Sequence, residues 1–275
     1  MAAASFHARS NSLPTRSHPL VSEIDEQVCR LRQSQAASTS SSSIGHNLNG
    51  LQVVYDCVDQ LFQLPTTQQA VINDQKCFNE LLDGSLSLLD LCNTAKDVLS
   101  QMKESVAELQ SAIRRRQGGL EGETRRYLKS RKTVIKAIQK VLRGMDSKKS
   151  TSSNNVETVS MLKEAESVVA LVLECLLTFI SQSSSKPSSW ARDALSQMKE
   201  SVAELQSAIR RKQGGLEGET RKYLKSRKIV IKAVQKVLKG MKSLQPRIQD
   251  LLEGVESLFR RLIKTRASIL NIHNL

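Results

Sequence analysis

Aromatic residues are scarce: 3% of 275, with one tryptophan, three tyrosines and five phenylalanines. Few aromatics and few β-branched runs argue against a β-rich fold, and the abundance of Leu, Ser, Gln, Lys and Arg argues for helices. Five prolines and 12 glycines exclude a collagen-like chain, and 39% apolar residues are enough to bury a core. The five cysteines (Cys29, Cys57, Cys77, Cys92 and Cys175) are odd in number and none sits at the two-residue spacing of a metal or redox pair. Each falls in a stretch that reads as an apolar helix face, which predicts buried, reduced thiols. The four histidines have no neighbours at metal-ligand spacing, and no P-loop, dinucleotide fingerprint or nucleophile elbow occurs. No cofactor, metal or catalytic constellation is therefore expected, and the chain reads as no enzyme. The most apolar stretch, Val168 to Ile180, carries Glu174 and falls short of the roughly 20 residues that cross a bilayer. It reads as a buried core helix, and no transmembrane span or secretory segment is expected.

What the chain does have is helical periodicity. Leu20, Ile24, Val28 and Leu31 mark one helix face, ended by a Ser/Thr tract from Ser38 to Ser43. Ile44, Leu48, Leu51, Val54, Val58 and Leu61 form a second stripe, stopped by Pro65. A third runs unbroken from Phe78 to Ile113, about 50 Å of helix. Gln117-Gly118-Gly119 ends it, and Glu121 and Glu123 suit the start of the next helix. A polar tract, 147–155, separates that helix from the one ending at Ile180. Pro246 predicts a break before a last helix with Ile248, Leu251, Leu252, Val255, Leu258, Phe259, Leu262 and Ile263 on one face. The expected class is all-α: an elongated antiparallel bundle with long helices and an extra, duplicated helical hairpin. Residues 1–19 read as a disordered arm, 20–182 as the bundle with the first hairpin at 97–145, 183–189 as a linker, 190–243 as the second hairpin and 247–275 as the closing helix.

Asp97 to Met145 and Asp193 to Met241 are one sequence repeated, differing at six of 49 positions. Solenoid repeats share only sparse packing residues and need at least three units. Two near-identical copies instead fit a recent segmental duplication or an error in the assembled gene. Both copies can offer the same apolar face to the same docking slot. One is expected to pack in the bundle, the other to be appended or exchanged between chains as a homo-oligomer.

The duplication also holds the charge. With 41 Lys and Arg against 27 Asp and Glu, the net charge is +14. Residues 95–145 and 191–241 each carry 13 basic and five acidic residues, whereas the remainder has 15 basic and 17 acidic. Arg125, Arg126, Lys129, Lys132, Lys136, Lys140 and Arg143 share one helix face, opposite Leu128, Val134, Ile135, Ile138, Val141 and Leu142. Arg221, Lys222, Lys225, Lys228, Lys232, Lys236 and Lys239 repeat the stripe. Such a stripe is either a solvated bundle face or a contact for an acidic protein groove, an anionic membrane or nucleic acid. An acidic protein or lipid surface is preferred, because Tyr127 and Tyr223 are the only stacking aromatics nearby and no nucleic-acid module is present. Gly119-Leu120-Glu121-Gly122 has a clamp-like spacing, but its acidic setting reads as a turn between helices. Ser residues following Arg9 and Arg30-Leu31-Arg32 suit phosphorylation, a weak signal in Ser-rich sequence. The expected location is cytoplasmic, peripheral to a membrane. Plastid import is the competing reading of the acid-poor N-terminal arm, although Pro14 and Pro19 interrupt any amphipathic helix there.

Several long stretches carry a resemblance: FHARSNSLPTRSHPLVSEIDEQVCRLR, QVVYDCVDQLFQLPTTQQA, ELLDGSLSLLDLCNTAKD, QMKESVAELQSAIRRR and EGVESLFRRLIKTRASILNI. Together they make the chain similar to the plant BYPASS family, long described as a domain of unknown function. The resemblance implies a helical protein with no assigned enzymatic activity. It also implies a role in root and shoot development, through restraint of a root-derived mobile signal. It brings no catalytic or ligand residues with it. The second hairpin copy departs from the family pattern.

Overall fold

A computed structural model describes residues 18–36, 40–115, 120–146, 157–183 and 216–273, together with Ser196, Glu200 and Ser207. The arm at 1–17, most of the expected linker and most of the first helix of the second hairpin lie outside the described residues. Among the described residues there are seven helices and no strand: α1 (Pro19–Ala36), α2 (Ser41–Phe62), α3 (Pro65–Asn73), α4 (Gln75–Arg115), α5 (Leu120–Asp146), α6 (Glu157–Ser183) and α7 (Leu216–His273).

The boundaries follow local chemistry. Ser40, at the end of the serine tract, accepts the Ser43 backbone N–H at 3.2 Å and caps α2. Pro65 opens α3 at a position where its missing N–H costs nothing. Asp74 Oδ1 accepts from the Cys77 N–H at 3.0 Å and starts α4. α4 then runs for 41 residues, about 60 Å, and buries Phe78, Leu81, Leu88, Cys92, Leu99, Met102, Val106 and Leu109 along the predicted seam.

The bundle axis is α4 against α7, running antiparallel. Cys92 Sγ lies 3.5 Å from the Val255 carbonyl, and Arg266 Nη1 donates to the Leu82 carbonyl at 2.5 Å. α2 runs parallel to α7, fixed by Arg261 donating twice to Asp56 at 2.8 and 3.0 Å and by Lys264 on Asp59 at 2.7 Å. Gly254 lets these two helices close, because a Cβ there would lie 3.1 Å from Leu48 Cδ1. α6 packs on the other side of α4 through the Lys163–Glu80 ion pair, and α1 lies between α2 and α6, where Arg32 pairs with Glu164. The Val168–Ile180 run is a core helix as expected, with Val168, Val169, Val172, Leu173, Leu176, Leu177 and Ile180 all at most 2% exposed.

Three expectations need correcting. α7 continues through Pro246 instead of breaking there. An internal proline costs about 3 kcal/mol. Val237 and Met241 before it and Ile248, Leu251 and Leu252 after it are all buried, each worth about 1.5–3 kcal/mol, so a continuous helix wins. Cys29 and Cys175 are exposed, because each follows or precedes the buried stripe by one helical step; Cys57, Cys77 and Cys92 are buried. Ile263 is 48% exposed, one step beyond Leu262 and outside the α4 contact.

Candidate cationic interface

α5 is positioned by its apolar side. Thr124, Tyr127, Arg131, Val134 and Ile138 are buried, and Ser130 Oγ meets Ser105 Oγ of α4 at 2.7 Å. These residues share one third of the helix surface at 3.6-residue spacing, so the opposite third must face outward. That third holds the predicted stripe. Arg125, Arg126, Lys129, Lys132, Lys136, Lys140 and Arg143 are all exposed. Arg126 pairs with Glu123 at 3.0 Å, but the helix has no acidic residue between Thr124 and Met145. The seven cations therefore lie along about 27 Å of one face with little compensation from their own helix.

The apolar residues assigned to the other face divide. Val134 and Ile138 are buried, while Leu128, Ile135, Val141 and Leu142 are half-buried at its edges. Because this face is engaged with α4, α5 cannot also lay it into a partner's groove; what remains available is charge.

Sequence reasoning missed the polar seam beneath α5. Arg131 is 6% exposed, donates from Nη1 to the Tyr127 hydroxyl at 3.0 Å and lies 5.7 Å from that ring, while its Nε has no hydrogen-bond partner. Its place on the 124–127–131–134–138 row is the signal that would have found it.

The second copy sits differently. Lys228, Lys232, Lys236 and Lys239 are exposed on the N-terminal half of α7; Arg221, Lys222 and Lys225 lie outside the described side chains. Ile138 of α5 is fully buried, whereas its counterpart Val234 is half-buried. The next counterpart, Ile231, is 46% exposed.

The bundle interior holds a second polar group. Tyr55, Ser85, Glu166 and Thr265 line a cavity of about 20 Å³, room for a single water molecule and too small for a substrate. Gly84 leaves room for the Glu166 carboxyl, which a Cβ there would meet head-on. Burial pushes the Glu166 carboxyl up to about 8, partly offset by Lys163, and holds the Tyr55 hydroxyl well above its usual value. Burial likewise pushes the Cys92 thiol up to about 12, so it is inert as a nucleophile.

A family model described as Protein BPS1, the BYPASS domain, matches residues 47–192, 188–247 and 232–272. The chain belongs to the BYPASS family. The first piece of the match ends, and the second begins, at 188–192, immediately ahead of the second hairpin copy. The BYPASS domain is one of unknown function and not a known enzyme family. No curated protein and no solved structure matches the chain. No helix among the described residues is long and apolar enough to cross a membrane.

Proposed function

We propose that this BYPASS-family protein is a non-enzymatic regulatory protein that works by contact, with the role in root and shoot development that the resemblance implies. Its contact is the outward face of α5, adsorbed on the anionic cytoplasmic surface of a membrane. The observation that carries this reading is the placement of seven cations directly opposite the buried face of a docked helix. Because the apolar side is occupied, binding is electrostatic and does not require insertion. Each cation near an anionic leaflet contributes about 1 kcal/mol and is screened by salt. Four or five in simultaneous reach give weak, reversible, salt-sensitive adsorption.

The test is co-sedimentation of the full chain with vesicles of phosphatidylserine and phosphatidylcholine, against phosphatidylcholine alone. Binding should require the anionic lipid. It should fall at least about tenfold in the triple variant Lys129→Glu, Lys136→Glu, Lys140→Glu, whose exposed positions leave the fold intact. Equal binding to both vesicle types, or indifference to the triple variant, overturns the lipid reading. Tighter capture by duplex DNA than by the vesicles favours the nucleic-acid alternative. Efficient competition by a soluble acidic polypeptide favours an acidic protein partner.

A further inference from the structure

From Lys228 to Leu270, α7 presents an outer face. In its N-terminal half this face carries Lys228, Ile231, Gln235 and Lys242, all exposed. In its C-terminal half it carries Glu253, Glu256, Arg260, Ile263 and Leu270, of which Ile263 is 48% and Leu270 42% exposed. The antiparallel register of α4 on α7 sets Leu86, 47% exposed, level with Ile263. Asp83 and Asp90 lie exposed on the same edge of α4. One half of the face is thus basic around an apolar residue, and the other sets four carboxylates and one cation, Arg260, around three.

We propose that this face is a self-association surface on which the α7 helices of two copies pair antiparallel, about a two-fold axis level with Arg247. Ile231 lies sixteen residues before Arg247 and Ile263 sixteen after it, so reversal sets the exposed isoleucines of the two copies opposite each other. The same reversal brings Lys242 to Glu253 and Lys239 to Glu256, each within one residue of the mirror position, and Lys232 to the Asp83–Asp90 edge. The contact is isologous: every pair occurs twice, and the surface closes on itself as a dimer. A parallel pairing would set lysine against lysine and acid against acid. A membrane is a poor occupant, since its negative surface would repel the half that holds most of the exposed apolar residues. The α5 stripe is not used. This inference does not rest on the lipid reading, although it assigns Lys232 and Lys239 to the second copy.

Sedimentation velocity on the full chain over a wide concentration range tests it. A concentration-dependent dimer is expected. Ile263→Lys, and separately Lys242→Glu, should weaken it at least about tenfold. Lys242→Glu combined with Glu253→Lys should restore it. In a Cys29→Ser/Cys175→Ser background, oxidising a mixture of Ile231→Cys and Ile263→Cys chains should cross-link unlike chains in preference to like ones. A monomer up to roughly 100 μM, a dimer indifferent to Ile263→Lys, or cross-linking between like chains overturns the proposal. The substituted positions are exposed, and urea unfolding of each variant separates lost pairing from lost folding. Vesicle binding is read on the α5 variants, so either proposal can fail without the other.

Discussion

Replacing Glu166 by glutamine should make the protein more stable in alkali and remove most of its pH dependence between about 5 and 8. The carboxyl sits between α6 and α4 in space that only Gly84 leaves open, and burial raises it from an ordinary 4.5 to about 8. For an acid whose value is raised on folding, the folded state holds the proton more tightly than the unfolded chain. Stability is then greatest below about 4.5, declines as pH rises toward 8, and is level above it. The gap corresponds to about 5 kcal/mol at most. Solvent reaches this half-buried side chain, and Lys163 nearby favours the ionised form, so roughly 2–4 kcal/mol is the expected loss. Glutamine keeps the shape and does not titrate. Urea unfolding of both proteins by circular dichroism, at several values from about pH 5 to pH 9, gives two stability curves. Their difference cancels every other titrating group. It should rise by a few kcal/mol in favour of the variant across this range; parallel curves would refute the reasoning.

Gly84→Ala should cost about 2 kcal/mol, because the new methyl meets the Glu166 carboxyl; in a Glu166→Ala background the same change should instead gain about 1 kcal/mol of helix propensity. A double-mutant cycle read by urea unfolding checks the sign reversal. In native protein, a thiol reagent should modify Cys29 and Cys175 promptly and reach Cys57, Cys77 and Cys92 only on unfolding; prompt reaction of five thiols would contradict their burial. Arg131→Met should leave stability unchanged or raise it by about 1 kcal/mol, since a buried guanidinium with its Nε unsatisfied is exchanged for an apolar side chain of similar length. A loss of several kcal/mol by thermal or urea unfolding would show that Arg131 is better satisfied than its geometry indicates.

The sequence is most informative where periodicity and burial coincide. The Ile44–Leu61 stripe, the Phe78–Ile113 seam and the 168–180 run all became buried faces, because an apolar row at 3.6-residue spacing has one stable solution. The cationic row on α5 was legible for the complementary reason: no carboxylate interrupts it between Thr124 and Met145. What sequence could not supply was the neighbour. Ile263 belongs to the same apolar series as Leu262 yet lies outside, because one helical step turns it off the side that faces α4, which still reaches Arg266 farther along. Glu166 gave no sign of burial, since charged residues usually stay in water. The clue was Gly84, a glycine inside a long helix with no turn to make. Pro246 misled because its local cost is real but smaller than the burial on both sides of it.

The duplicated hairpin separates what a sequence dictates from what its surroundings do. Tyr127, Arg131, Ile138 and the α5 lysines have counterparts 96 positions later, so any difference in burial comes from the neighbouring helices. In α5 the row from Thr124 to Ile138 is buried, with α4 packed on the helix, and the lysines are left as an uninterrupted outer stripe. In α7 the same sequence is fused to the closing helix. Its end, Val237 and Met241, joins the core, while Lys228, Ile231 and Lys232 stand exposed above it. A polar–apolar face in solvent is stable only if its apolar share stays small or is covered. The second copy therefore repeats the positive charge and, in its changed setting, exposes an apolar residue beside it, Ile231, whose counterpart Ile135 is half-buried. A surface for charge alone and a surface for charge plus apolar contact can thus arise from a single sequence.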